Sequence, residues 1–251
     1  MKTVLFLLMA SSLWGMSALD LVEKINSRND GQHMIRKLKM VLTDKRGKTR
    51  VNKTISYRKY YGDDKKTLII YNEPKRLKGT AFLTYDNLTK DDTQWLYLPS
   101  LRKVRRISSA DRGDWFLGTD FSYEDIKKET KISSEDYNFK IVREDEKSYT
   151  LEYSAKTKEI AKELGYSKVV SKIDKESYIS KKTKFYDPRG EPLKTLINNK
   201  IEKINGIWTI GHMNMVNHQN SHVSDFYFSD IDYKTDIKDK LFAKSSLKKS
   251  R

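Results

Sequence analysis

The side chains that most often carry chemistry are sparse in this sequence. It contains four histidines, His33, His212, His218 and His222, and no cysteine. His218 and His222 have the i,i+4 spacing that places two metal ligands on one helix face, and Asp225 follows closely. However, this stretch is typical of a strand end or loop, where four residues span roughly 13 Å. We therefore predict no metal site here.

The sequence also lacks the common motifs of catalysis and cofactor binding. The sequence has no cysteine nucleophile, no Gly-x-Ser-x-Gly elbow, no phosphate-binding loop and no Gly-x-Gly-x-x-Gly fingerprint. The adjacent acids Asp63-Asp64 and Asp91-Asp92 lie in turn-like segments and are most simply exposed to solvent. The sequence thus predicts neither a catalytic group nor a cofactor. A secreted hydrolase with an unrecognised site is the less favoured alternative.

The N-terminus has the order of a secretory signal peptide. Lys2 supplies a positive charge, Val4 to Trp14 is an apolar run, and Gly15 to Ala18 offers small residues for cleavage. The run is too short to cross a bilayer, which needs roughly 20 apolar residues. We predict that residues 1–18 are cleaved. Because a lipid-anchored bacterial lipoprotein needs an N-terminal cysteine, we expect a soluble periplasmic protein.

The charge balance is strongly basic. The chain has 50 Lys+Arg against 34 Asp+Glu, a formal net charge of +16. For a protein exported behind a signal peptide, the anionic partners to expect are lipid head groups or acidic proteins, and not nucleic acid. General solubility is the alternative explanation, since lysines are scattered along the whole chain.

Most of the sequence alternates apolar and polar residues with the period of a strand. One example is Tyr149, Leu151 and Tyr153, which alternate with polar residues. Consecutive strands are separated by tight-turn signals, of which Asn205-Gly206 is the strongest because both residues accept positive φ. We predict about eleven strands in consecutive hairpins, and therefore an antiparallel sheet.

Helical segments are few. The patterns predict helices at Leu19–Arg28 and Ala155–Leu164, with a turn or two at Tyr123–Lys128 and Asp236–Ala243. No linker rich in Pro, Gly or Ser divides the chain, so we expect one domain over residues 19–243. Residues 244–251 are basic and polar and are predicted to form a flexible tail.

One segment, Pro99–Ile126, does not fit the hairpin pattern. It begins with the cationic residues Arg102, Lys103, Arg105 and Arg106 and later carries the aromatic pair Trp115-Phe116. Long loops inside compact domains tend to be functional. The cationic run suits contact with anionic head groups or an acidic partner. Alternatively, it is the solvated face of a strand or a charge-protected sheet edge.

Several motifs in order resemble the outer-membrane lipoprotein-sorting protein branch of the LolA-like superfamily. The similarity extends over essentially the whole chain after the signal peptide. Its motifs are Gly79–Leu83, Gln94–Leu101, Val104–Ile107, Phe116–Asp125, and Tyr186-Asp187 followed by Gly190 and Leu193-Lys194.

This resemblance implies a mainly β fold, a curved antiparallel sheet forming an open half-barrel whose concave face is covered by helices. It also implies a periplasmic carrier that holds acyl chains of lipids or lipoproteins in an apolar cavity. Such a carrier often works beside an inner-membrane transporter of the RND or MMPL type. The alternative function is an accessory protein that docks on such a transporter and carries no lipid.

Methionine and aromatic residues suit an adaptable lipid-binding lining. The candidates that the sequence offers are Met34, Met40, Tyr57, Trp95, Tyr97, Trp115, Phe116, Met213 and Met215. For each of them, ordinary core packing is the alternative.

Overall fold

Alternating strands and tight turns build one large sheet. The computed structural model describes residues 15–87, 92–129 and 131–249. Residues 1–14 of the predicted signal peptide lie outside the described residues, and the first helix begins at Ala18. Thirteen strands, β1 to β13 in chain order, span His33–Thr43, Thr49–Tyr61, Asp64–Glu73, Ala81–Asp86, Thr93–Leu98, Lys103–Ile107, Tyr137–Glu144, Ser148–Ala155, Lys168–Asp174, Ser180–Tyr186, Pro192–Ile204, Ile207–Asn217 and Val223–Asp232.

Every pairing in this sheet is antiparallel. The strand order is β6-β5-β4-β3-β2-β1-β13-β12-β11-β10-β9-β8-β7, and β6 and β7 are its two edges. The sheet is curved and does not close. The predicted open half-barrel is therefore confirmed, with thirteen strands where the sequence indicated about eleven.

Short turns set the register of the hairpins. Asn205 and Gly206 both have positive φ, 51° and 80°, which gives the primed turn that suits the twist of β11 and β12. Between β1 and β2, the Gly47 amide donates to the Asp44 carbonyl at 2.8 Å, and the Asp44 carboxylate accepts from the Arg46 and Lys48 amides. Glycine is favoured at residue 47 because its φ is +76°.

Three short helices lie against the sheet: α1 at Ala18–Ser27, α2 at Tyr123–Lys128 and α3 at Lys158–Leu164. Capping boxes begin α1, through Ser17 and Asp20, and α2, through Ser122 and Asp125. The sequence placed α1 and α2 correctly and began α3 three residues early. Residues 155–157 instead end β8 and cap the helix, with the Thr157 hydroxyl accepting from the Ile160 amide.

The segment between β6 and α2 folds over the concave face together with α2. Its Phe116 is fully buried among Phe82, Tyr71 and Tyr123 of the core, and Phe121 stacks on Phe226 of β13 with ring centroids 4.4 Å apart. We call this segment, residues 108–122, the cover loop. The sequence identified it as an irregular stretch but could not predict its path.

The cover loop approaches α3 closely at Gly113. A Cβ atom there would lie 2.6 Å from the Glu163 carbonyl oxygen, so only glycine fits this contact. The same region is joined by charge, since the Arg112 guanidinium binds the Asp136 carboxylate at 3.0 Å. The cover is thus attached to the rest of the concave side at several points.

The C-terminal segment corrects one prediction. Lys244–Lys249 forms a 3-10 helix, and Leu247 is fully buried. Together with Ile237 and Phe242, Leu247 packs on the convex face of the sheet against residues such as Leu68 and Leu83. Up to Lys249 the predicted flexible tail is therefore a packed segment, because one buried leucine among the lysines anchors it.

Candidate functional site

The concave face of the sheet contains a cavity beneath α2 and the cover loop. Side chains directly opposite each other on antiparallel strands share a face. Met40 on β1 pairs with Phe226 on β13, which in turn pairs with Met213 on β12. The resulting cavity has a volume of about 130 Å³. Its apolar lining consists mainly of Met34, Leu38, Met40, Ile69, Phe121, Ile126, Phe185, Leu196, Met213, Met215, Phe226 and Phe228.

A second cavity lies on the other side of α2, under α1 and α3. Its volume is about 100 Å³, and its lining includes Tyr137, Tyr153 and Val169. Phe185 and Leu196 line both cavities. The two spaces are therefore neighbours on one concave surface, separated by only a few side chains.

The first cavity is apolar at one side and charged at the other. Its charged part contains Arg28, Asp30, Arg36, Arg58 and Glu129. We call these five residues the charged mouth. It joins the sheet to the C-terminal end of α2, where Glu129 forms the cap.

Ion pairs bind this mouth together. The Glu129 carboxylate lies 2.5 Å from the Arg36 guanidinium and 3.2 Å from that of Arg58, and Arg58 also pairs with Asp30 at 3.3 Å. Burial raises the pKa of Glu129, but the charges of Arg36 and Arg58 outweigh it and lower this pKa to about 2. The carboxylate is therefore ionised at neutral pH.

A buried lysine links the cover to β11. The Lys194 ammonium is fully buried and donates to the Asp125 carboxylate at 2.6 Å, the Tyr166 hydroxyl at 2.7 Å and the Asp120 carbonyl at 2.8 Å. Burial lowers the pKa of Lys194, and the Asp125 carboxylate opposes this effect. Because Asp120 and Asp125 flank the start of α2, Lys194 fixes this end of the cover to the sheet.

The histidines make separate contacts. The His218 ring bonds the Thr195 hydroxyl at 2.8 Å, and the His222 ring bonds the Asp120 carboxylate at 2.5 Å. Asp225 instead contacts His212. Within the described ranges, no three metal-ligating side chains are grouped for a metal ion.

The contact between His222 and Asp120 does not form a nucleophilic triad. The neighbouring Ser224 hydroxyl is fully buried and donates to the Asp120 carboxylate at 2.7 Å. A catalytic serine would instead be hydrogen-bonded to the histidine that takes its proton. This geometry ties the cover loop to β13 and gives no activated hydroxyl.

The predicted cavity candidates lie in three places: the first cavity, the convex face of the sheet and the cover loop. Met34, Met40, Met213 and Met215 all line the first cavity. Tyr57, Trp95 and Tyr97 lie on the convex face, in or against the core under the C-terminal segment. The strand pattern could not separate the two groups, because both faces of this part of the sheet are covered.

The aromatic pair of the cover loop has a different role. Phe116 is packed in the core and does not line either cavity. Trp115 is 42% exposed, and its ring centroid lies 4.8 Å from the Lys194 ammonium. Trp115 therefore covers the buried lysine from outside.

The cationic run forms the sheet edge. Lys103–Ile107 is β6, and Arg102 lies in the preceding turn with a φ of 50°. Arg105 pairs with Leu96 and Arg106 with Trp95, so the two arginines lie on opposite faces. An exposed, charged edge of this kind protects against edge-to-edge association. The four residues do not form one patch, and their contact with head groups stays a prediction.

Sequence reasoning missed several lining residues. Phe226 and Phe228 belong to the last strand, and Leu196 to β11; none was among the candidates. The alternation along their strands can be read from the sequence. The pairing of β1 with β13, the first and last strands, cannot. Among the residues that the structure describes, no helix is long and apolar enough to cross a membrane.

An open, curved antiparallel sheet with a covered apolar cavity defines the class of LolA-like folds. A family model described as "Uncharacterized protein" matches residues 63–249. An outer membrane lipoprotein-sorting protein domain from Vibrio parahaemolyticus is 30% identical, with a TM-score of 0.83, covering 92% of this chain and 98% of that one. The chain belongs to the same family as this lipoprotein-sorting protein domain, and its fold is LolA-like.

Two further solved structures are similar. A DUF1329 family protein from Desulfovibrio piger is 27% identical with a TM-score of 0.83, covering 92% of this chain and 97% of its own. A LolA superfamily protein from Nitrosomonas europaea is 20% identical with a TM-score of 0.69, covering 92% and 99%, and shares the fold. No curated protein matches the sequence.

Proposed function

We propose that this protein is a periplasmic carrier that binds acyl chains of a lipid or lipoprotein in the concave cavity and acts without catalysis. The observation that carries this proposal is the methionine- and phenylalanine-rich lining of a covered hollow. Methionine side chains are unbranched and adaptable, which suits chains of varied length and shape. The similarity to the Vibrio lipoprotein-sorting domain supports the same conclusion.

The size of the cavity indicates that the cover must move to admit a long chain. An apolar cavity of about 150 Å³ in an engineered lysozyme holds one benzene molecule. The first cavity, at about 130 Å³, therefore has room for only a short piece of an acyl chain. Joining it to the second cavity requires displacement of the side chains that both share, among them Phe185 and Leu196.

The energetics also favour a movable cover. Keeping a 16-carbon chain out of water is worth about 0.8 kcal/mol per methylene, or roughly 12 kcal/mol in total. A carrier must supply most of this by burial and yet release the chain at the next membrane. The ion pairs that join α2 to the sheet are suited to such opening, because they are replaced by hydration once the cover lifts.

Native mass spectrometry of the gently purified protein tests the proposal. We expect adducts with the mass of an acyl lipid, and their loss in Leu196→Trp, which fills the space shared by both cavities. Ile70→Trp on the convex face is the matched control and is expected to keep the adduct.

The proposal fails if the wild-type protein stays empty after incubation with lipid vesicles. That result would favour the accessory role, in which the protein docks on an inner-membrane transporter of the RND or MMPL type without carrying lipid.

A further inference from the structure

The charged mouth places two arginines where an apolar cavity ends. Arg36 and Arg58 lie on adjacent strands, and their pairing partners are Ser56 and Met34, so both project onto the concave face. The Arg36 guanidinium lies 4.3 Å from the ring centroid of Phe228, a residue of the cavity lining. The Arg58 side chain is only 5% exposed. Positive charge and apolar lining are therefore in direct contact.

The one carboxylate that both arginines share comes from the cover and not from the sheet. Glu129 caps the C-terminal end of α2 and bridges Arg36 and Arg58 with its two oxygens. Arg36 has no other ion pair among the described residues. Any movement that lifts α2 off the sheet would withdraw this carboxylate, leaving Arg36 without an ion pair and Arg58 with Asp30 alone.

The charge count sets the kind of group that can replace Glu129. The mouth has three arginines against Asp30 and Glu129, while the nearby Asp125 is bound to Lys194. With Glu129 in place these five residues carry one excess positive charge, and a ligand with one negative charge restores that same count when Glu129 leaves. A zwitterionic head group would instead bring an additional cation next to Arg28, Arg36 and Arg58.

Two buried polar atoms of the cavity lining indicate which further hydrogen bonds a ligand could form. Within the described residues, Arg58 Nε donates no hydrogen bond and Asn198 Oδ1 accepts none. An oxyanion can accept from Nε, and a hydroxyl can donate to the amide oxygen. Buried groups of this kind are normally paired, which makes them candidates for ligand contacts.

We propose that Arg36 and Arg58 bind the monoanionic head group of an amphiphile, a phosphodiester or a carboxylate, whose acyl chain lies in the cavity, and that Glu129 competes with this head group. This proposal rests on the proposed function and names the class of its ligand. Binding of the head group replaces one carboxylate by another anion on the same two arginines. Guanidinium groups suit this exchange because they bind carboxylate and phosphate in the same bidentate manner.

Calorimetric titration of the whole protein with dihexanoyl phosphatidylglycerol and dihexanoyl phosphatidylcholine tests the proposal. The two probes share their chains and differ in head-group charge. We expect the wild type to bind the anionic probe about ten-fold more tightly, because the choline cation of the other probe would be repelled by the arginines of the mouth. Glu129→Gln should bind it about ten-fold more tightly still, with little change for the zwitterionic probe.

The control variants separate this role from a structural one. Arg36→Gln should reduce the preference for the anionic probe to under about three-fold. Glu144→Gln and Arg143→Gln, both exposed on β7, should behave as the wild type. In thermal unfolding, the anionic probe should stabilise Glu129→Gln more than the wild type, which loss of a purely structural ion pair would not produce.

The outcomes distinguish the two proposals. If neither probe binds, the carrier function itself is wrong. If both probes bind equally to the wild type and Glu129→Gln leaves their ratio unchanged, only the head-group site is wrong. If inorganic phosphate alone binds as tightly as dihexanoyl phosphatidylglycerol, the site takes a free anion and the amphiphile proposal is overturned.

Discussion

Protonation of Glu129 should weaken the folded state in acid. Its pKa is 4.5 without the protein environment and about 2 in the folded chain. At about 1.36 kcal/mol for each pH unit of this difference, ionised Glu129 stabilises the fold by roughly 3 kcal/mol. Because the folded-state pKa is the lower one, this contribution is fully present above pH 4.5 and is lost as the pH falls toward 2.

Urea unfolding of the wild type and Glu129→Gln between pH 6 and pH 3 measures this effect. The wild type is expected to be the more stable protein at pH 6. Its advantage should shrink by about 2 kcal/mol by pH 3, where Glu129 is protonated in the unfolded chain but still mostly ionised in the folded one. Subtracting the variant removes the contribution of the other acidic groups.

Glu144→Gln is the matched control, since Glu144 pairs with Lys175 at the surface. At pH 6, Glu144→Gln should be much closer in stability to the wild type than Glu129→Gln is, because an exposed ion pair contributes at most about 1 kcal/mol. A wild-type advantage over Glu129→Gln that is constant from pH 6 to pH 3 would refute the reasoning. It would mean that Arg36 and Arg58 do not lower the pKa of Glu129 in the folded chain.

Three other predictions concern the buried lysine, the C-terminal segment and the cationic strand β6. Lys194→Met should lower the melting temperature by about 6 to 20 °C, and adding Asp125→Asn should recover part of the loss, as thermal unfolding of both variants would measure. Leu247→Ala should reduce the free energy of unfolding by about 2 to 4 kcal/mol in urea, whereas a mobile tail would give no change. Reversing Arg105 and Arg106 to Glu should slow lipid capture from anionic vesicles, more so at low salt; equal capture would remove their head-group role.

The local elements of this fold were predictable from sequence because they depend on neighbours in the chain. Asn205 and Gly206 both accept the positive φ of their turn. The capping box of Ser122 and Asp125 begins α2 regardless of what the helix packs against. Alternation predicted the hairpins. The number of strands and the pairing of β1 with β13 depend on contacts between distant segments, which alternation does not encode.

The site was predictable only in part for the same reason. Met34 and Trp95 both alternate on strands, yet Met34 faces the cavity and Trp95 packs against the C-terminal segment. Choosing between them requires knowing that Leu247 covers the convex face. The charged mouth was missed altogether, because Arg36, Arg58 and Glu129 are far apart in sequence and resemble ordinary surface charges.

Photo-crosslinking with a diazirine-bearing palmitate tests the central claim most directly, since it maps where an acyl chain lies in the folded protein. We expect crosslinks to residues of the concave lining such as Met34, Met213 and Phe228, and their loss in Leu196→Trp. Crosslinks confined to the convex face, at residues such as Tyr57 or Trp95, would contradict it.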